Sequence, residues 1–272
     1  MNWLQRYPLV KLTLIALGIG LAGFAVTVAW LSKDIPSFEQ LENFSPELAT
    51  HVYSGDGKLL KELYTERRFY TPLSEIPEQM INAVLAIEDY DFYDHWGVDP
   101  ERLIFVTISY LTTGSKEQGA STLTQQLARR LYLTPKKTVT RKLKEILTAI
   151  QLERTYTKNE ILEMYMNQMQ FGYSTYGVES AARYFYQKSV QDLSLAQSAL
   201  LAGMLQRPGA LNPYNNYEGA LARRNLVLNR MLEEAEITGE QYKTALETEL
   251  NLAVQSDSLS PERAPYFVEH VR

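Results

Sequence analysis

The sequence predicts a mainly α-helical domain preceded by one N-terminal transmembrane helix and a small β-hairpin. Three observations carry that reading. Residues 12–31 are 20 successive positions without a charge, long enough to span a hydrocarbon core of roughly 30 Å as a helix. Two short strand-like runs flank Gly55-Asp56-Gly57, and Asp-Gly between such runs is a hairpin signal. From Pro77 onward, apolar residues recur at helical spacing between proline, glycine and hydroxyl-bearing breaks. The 272 residues allow one sizeable domain plus accessories, and 45% hydrophobic with 22% charged residues is the composition of a folded protein. Cysteine is absent, which removes disulfide frameworks and thiolate chemistry. His51, His95 and His270 lie far apart, which speaks against a His-rich metal site. A net charge of -5 speaks against a broad nucleic-acid surface.

Arg6 and Lys11 precede the apolar run, so charge asymmetry keeps the short N-terminus in the cytoplasm and sends the rest outside. The alternatives are a cleaved signal peptide or a buried core helix. The run exceeds the usual signal core of about 7–15 residues, and no A-x-A site ends it. Residues 1–33 are read as cytoplasmic tail and anchor, and 34–75 as a polar tether and hairpin with HVYS and KLLKELY as strands. Pro77 stands where a helix start tolerates proline, and Ile81, Val84, Leu85 and Glu88 then share one face. Residues 103–111 (LIFVTISYL) are apolar nearly all round and turn polar at 112–118. They form either a core helix or a flap dipping into a membrane beside the anchor. A second helix starts near Ser121 or Thr122. A third follows Pro135 with Leu143, Leu147 and Ile150 as its apolar stripe. Further helices are expected at 158–169, 177–186, 193–205, 218–235 and 239–246. The helical domain therefore covers 76–250, and 251–272 reads as a linker.

Residues 119–144 hold seven cations (Arg129, Arg130, Lys136, Lys137, Arg141, Lys142, Lys144) and no acid. A basic field inside an acidic chain points to a specific anionic ligand. Glu88 closes an apolar helical face. Desolvation there raises a carboxylate's pKa towards general-base work near neutral pH, and Asp89 beside it raises it further. The bland alternative is a surface residue at a helix C-terminus, where an acid is mildly unfavourable. Phe92 and His95 lie in the following turn, where a lone histidine is more often a structural hydrogen-bonder. On the next helix Thr122, Gln126 and Arg129 fall at i, i+4 and i+7, opposite Leu123, Leu127 and Leu131. They offer a hydroxyl, an amide and a guanidinium beside a helix start whose free N–H groups attract anions. Arg141 and Glu145 are i, i+4 neighbours flanked by Lys144. Alone they would be a surface pair worth about 0.2–0.5 kcal/mol. Beside the basic field, Glu145 becomes a candidate second carboxylate for glycosyl chemistry.

These residues resemble the peptidoglycan glycosyltransferase domain of class A penicillin-binding proteins and monofunctional peptidoglycan glycosyltransferases (glycosyltransferase family 51). Five motifs occur in family order. The first is Glu88-Asp89 with Phe92, His95, Gly97 and Asp99, and the second is Gly119-Ala120-Ser121-Thr122-Leu123-Thr124-Gln125-Gln126-Leu127. The third is Arg141-Lys142-Leu143-Lys144-Glu145. The fourth runs from Ile161-Leu162-Glu163-Met164-Tyr165-Met166-Asn167 through Gly172 to Tyr176-Gly177-Val178. The fifth is Ala199-Leu200-Leu201-Ala202-Gly203 with Pro208 and Asn212-Pro213.

The resemblance implies a lysozyme-like helical fold acting on lipid II at the outer face of the cytoplasmic membrane, with about 100–118 as a membrane-facing jaw. It implies a growing glycan on polyprenyl pyrophosphate as donor and lipid II as acceptor. Glu88 would take the proton of the acceptor's 4-hydroxyl, giving a β-1,4 glycan by inversion. Arg129, Lys137, Arg141 and Lys144 would hold the pyrophosphate, with Thr122 and Gln126 as neutral donors. Glu145 would orient cations or substrate, and Asp89, Phe92, His95, Ser121 and Gln125 would support the site. No protein-built metal or cofactor site is expected, although a magnesium or manganese ion could ride on the pyrophosphate. Implied partners are lipid II, the glycan, the membrane, cell-wall synthesis proteins and the inhibitor moenomycin, with no nucleic acid. Two departures stand out: Arg129-Arg130 replaces the usual Lys-Asn, and Gln197 replaces a usual Glu. Residues 264–272 resemble the passage into a transpeptidase domain whose S-x-x-K and K-T-G signatures do not occur. A longer natural protein is therefore expected. The competing readings are a lytic muramidase built around the same glutamate and a non-enzymatic membrane scaffold.

Overall fold

A computed structural model describes residues 8–31, 50–53, 59–63, 67–113, 119, 121–133, 138–173 and 175–253. The mainly helical expectation is met. Helix α1 (Pro8–Leu31) is one element of 24 residues, and its apolar side chains from Leu12 to Ile19 are exposed. Among the described residues no helix is long and apolar enough to cross a membrane, and the side chains of 24–31 lie outside them. Strand β1 (Thr50–Tyr53) pairs antiparallel with β2 (Leu59–Leu63), while the Gly55-Asp56-Gly57 turn lies outside the described residues. A short parallel pair joins β3 (Arg67–Arg68) to β4 (Thr175–Tyr176).

The helices begin where the sequence supplies a cap. Pro77 caps α2 (Glu78–Glu88), and Thr122 caps α4 (Leu123–Tyr132) through the Gln125 N–H. Thr138 caps α5 (Val139–Thr155). Capping boxes open α6 (Lys158–Gln168) with Thr157 and Glu160, α8 (Leu195–Met204) with Ser194 and Gln197, and α10 (Gly239–Glu247) with Thr238 and Gln241. Gln197 is thus explained, because an amide closes the box as a carboxylate would. Gly177 precedes α7 (Val178–Tyr186), and Asn216 caps α9 (Tyr217–Glu233). Of the two alternatives for residues 103–111 one is removed, and one apolar stripe differs from expectation. Helix α3 (Pro100–Thr113) is not a core helix, since Leu103, Ile104, Phe105 and Ile108 are 48–66% exposed. On α5 the buried face is Glu145, Thr148, Ala149 and Leu152, whereas Leu143 is 37% exposed. The helix turns a carboxylate inward because cations from α4 and α5 meet it there, so apolar spacing alone picks the wrong stripe.

Among the described residues a main core has Met80, Val84, Phe92, Leu127, Phe185 and Leu200 among its members, and a small second cluster of Ala128, Ala149 and Leu152 joins α4 to α5. Helix α8 is buried on every side from Ala196 to Met204, and α2 and α9 pack on it. Such an all-round apolar helix can only be central. Arg224, itself buried, donates to the carbonyls of Leu246 at 2.9 Å and Thr248. The Tyr214 hydroxyl donates to the Ala253 carbonyl at 2.8 Å, and Ala253 N–H donates to the Phe185 carbonyl at 2.8 Å.

Candidate active site

A cleft of about 1090 Å³ opens between the end of α2, the loop after it, the start of α4 and one side of α9. Glu88 is the last residue of α2 and lines this cleft with Gln126, Arg129 and Arg223. Its Oε2 accepts from Gln126 Nε2 at 2.8 Å. Its Oε1 is buried and has no hydrogen-bond partner among the described residues. Burial pushes the Glu88 carboxyl above its ordinary value, and Asp89 adds a little. The Gln126 bond and the charges of Arg223 and Arg102 pull the other way. A base with one oxygen held and one free is suited to taking a proton.

Asp89 does a different job from its neighbour. Its Oδ2 accepts from Leu123 N–H at 2.8 Å and lies 3.0 Å from His95 Nε2. Gly97 N–H donates to His95 Nδ1 at 3.1 Å, so the ring's proton sits on Nε2 and faces Asp89. Arg102 donates to the Glu88 carbonyl at 2.8 Å. Asp89 and His95 thus tie the loop after α2 to the start of α4. Phe92 is fully buried under the Lys158 ammonium, 4.4 Å from its ring centre. Asp89 and His95 line the cleft, and Phe92 lies beneath them outside its lining.

Thr122 departs from its expected role as a donor to substrate. It is fully buried, its hydroxyl donates to the Gly97 carbonyl at 2.8 Å, and it accepts from Gln125 N–H at 3.2 Å. An N-cap residue lies before the helix and folds back on it, so the i, i+4 face argument does not apply there. Gln125 donates to the same Gly97 carbonyl at 3.2 Å. Gly97 takes φ +90°, and a Cβ there would stand 2.9 Å from Glu153 Cγ, so only glycine fits.

Glu145 is completely buried. Its Oε2 meets Arg141 at 2.7 Å and Arg129 at 3.9 Å, and its Oε1 meets Lys142 at 2.5 Å. Both oxygens are engaged by cations, and the orienting of those cations is what the geometry supports. Lys142 also donates to Ser121 Oγ and Gln125 Oε1, each at 2.8 Å. Of the expected pyrophosphate cations, Arg129 lines the cleft, while Arg141 and Lys144 are not among its lining residues. Lys137 lies outside the described residues. Lys144 adjoins Glu145 in sequence and so points about 100° round the helix from it. Lys142, three residues before Glu145, shares its face, and that spacing is the local signal for it. Arg130 places its guanidinium 4.5 Å over the Tyr176 ring, which accounts for a cation where an amide is usual. Arg102, Arg223 and Arg230 also line the cleft, and no local pattern marks them. Among the described residues no cluster of His, Asp and Glu is arranged to hold a metal ion.

A family profile described as Transglycosylase matches residues 56–232. Penicillin-binding protein 1A of Aquifex aeolicus is 42% identical over 95% of this chain and 35% of its own length. Penicillin-binding protein 1A of Neisseria gonorrhoeae is 41% identical over 86% of this chain and 29% of its own. The chain thus spans about a third of the length of these curated relatives. A crystal structure of penicillin-binding protein 1A from Haemophilus influenzae aligns over 84% of this chain and 24% of its own, at 25% identity and a TM-score of 0.47.

Proposed function

The chain belongs to the transglycosylase family, and from that premise we propose that it polymerises lipid II into β-1,4 glycan strands in cell-wall synthesis. The observation that carries the proposal is the free, buried Oε1 of Glu88 in a cleft lined by Arg129 and Arg223. The acceptor's 4-hydroxyl gives its proton to Glu88 Oε1 as its oxygen bonds to the donor's anomeric carbon. The bond from that carbon to the pyrophosphate oxygen breaks on the opposite face, which inverts the centre. Polyprenyl pyrophosphate departs with the electron pair. Arg129 stands ready to balance that charge, held from behind by Glu145. Both oxygens of Glu145 are engaged by the chain's own cations, and a magnesium or manganese ion would ride on the substrate's pyrophosphate rather than on this carboxylate.

The substrate's lipid tail sets where this happens. The exposed apolar residues of α3, with Phe105 at the cleft edge, support a surface that rests on a bilayer. The charge-free run of residues 12–31, with Arg6 and Lys11 before it, supports a single-pass anchor in the cytoplasmic membrane with the catalytic unit outside. Moenomycin would compete at the same cleft, and cell-wall synthesis proteins would be its neighbours.

The test is lipid II polymerisation by the purified protein and by Glu88→Gln. Loss of polymer with an unchanged circular dichroism spectrum supports the proposal. Normal turnover by the variant overturns it. Release of soluble fragments from finished peptidoglycan would point instead to a muramidase.

A further inference from the structure

We propose that Tyr165, which lies behind the cleft, is a positioning residue that decides which oxygen of Glu88 acts as the base. The inference rests on the reading of Glu88 as the proton acceptor. Tyr165 belongs to α6 and is fully buried, so it cannot touch substrate. Its hydroxyl donates to Gln126 Oε1 at 3.3 Å. The other end of that amide, Nε2, donates to Glu88 Oε2 at 2.8 Å. Glu88 Oε1 has no partner. Three side chains from α6, α4 and α2 therefore form one directed chain that ends on Glu88 Oε2 and leaves Oε1 without a partner.

The direction of that chain depends on the tyrosine. An amide's two ends have nearly the same shape, so Gln126 can present either its NH2 or its carbonyl to Glu88. An ionised carboxylate only accepts hydrogen bonds, and a protonated one also donates. The observed orientation therefore serves Glu88 ionised or protonated on Oε1, whereas the reversed one needs Glu88 protonated on Oε2. Reversal would make the Tyr165 hydroxyl an acceptor and leave its own hydrogen buried without a partner, which is costly. Burial and the nearby Glu88 keep the Tyr165 proton firmly in place. The tyrosine thus biases the amide, and the amide biases the base towards its working form. The charged groups that face this pair are Asp89 in the loop, Arg102 of α3, Arg223 of α9 and Arg129 of α4. None of these contacts the Gln126 oxygen through a hydrogen bond among those described.

The experiment is the pH profile of lipid II polymerisation for the full chain, Tyr165→Phe, Gln126→Leu and the double variant, with melting curves for each. Tyr165→Phe should move the acid limb of kcat up by roughly 0.5–1 pH unit and lower neutral kcat up to about tenfold, with KM within about twofold. Gln126→Leu should move the limb in the same direction. Adding Tyr165→Phe to it should move the limb no further, since the amide that carries the effect is gone. An unmoved limb in Tyr165→Phe, or an additive shift in the double variant, overturns the proposal. A uniform loss of kcat at every pH with a lower melting point also overturns it, because that marks a merely structural tyrosine. If Tyr165→Phe does not fold, an unmoved limb in Gln126→Leu is sufficient to overturn it. Glu88→Gln separates the two levels. If that variant turns over, the base reading fails. If it is dead and the limb stays put in Tyr165→Phe, only the tyrosine's role fails.

Discussion

Lys142 Nζ stands 2.5 Å from Glu145 Oε1, and the same ammonium reaches Ser121 and Gln125 at the start of α4. One cation therefore locks two helices together around a buried carboxylate. Arg129, the cation that faces the cleft, is the exposed end of this arrangement.

Glu145→Gln should therefore weaken both fold and affinity. Removing one member of a buried pair costs about 3–5 kcal/mol. Lys142 is 40% exposed, so water screens part of that, and a loss of about 2 kcal/mol is expected. Arg129 loses its brace, so KM for lipid II should rise more than kcat falls. Urea melts and steady-state kinetics check both halves.

Glu88 carries a pH signature of its own. Burial holds its pKa above the ordinary 4.5, so the folded chain binds that proton more tightly than the unfolded chain. Its contribution to stability is full below about 4.5 and shrinks as pH rises through the folded value. Glu88→Gln should then melt higher than the parent at pH about 7 and level with it at pH about 4. Calorimetry at both values decides, and an equal shift at both would count against it.

Thr122 should behave as a cap. Thr122→Val loses the bonds to Gln125 N–H and the Gly97 carbonyl and should cost about 1–2 kcal/mol. Thr122→Ser should retain most of the stability. Neither should alter KM by more than about twofold, since the hydroxyl faces away from the cleft. A serine variant of parental stability but poor affinity would restore the substrate contact.

Arg130→Asn installs the amide usual in the family. It removes the guanidinium above Tyr176 and should cost about 0.5–1 kcal/mol with turnover unchanged. Thermal melts and the polymerisation assay read the two quantities separately.

The parts legible in the sequence were those decided locally. Thr157 with Glu160, Ser194 with Gln197 and Thr238 with Gln241 mark helix starts three residues at a time. Glu88 stood out because an acid at the end of an apolar helical face needs a reason. Glu145 was found for its neighbours, yet its complete burial was not, since a carboxylate enters a core only when cations from another helix follow it. Periodicity on α5 accordingly chose Leu143, which is exposed. The three-residue spacing to Glu145 favours Lys142 over Lys144. Arg102, Arg223 and Tyr165 reach the site from elements distant in sequence, and only tertiary packing brings them there.

Arg223 and Arg224 are consecutive on α9 and so point about 100° apart. Arg223 lines the cleft, and Arg224 grips the end of α10. Tension applied at Ala253 would load the bonds to Tyr214 and Phe185. Its reaction would then pass through Arg224 into the middle of α9. A pull at that end of the domain is therefore borne by the same rod that carries a cation into the cleft with Glu88, so strain outside the site has a mechanical path into it.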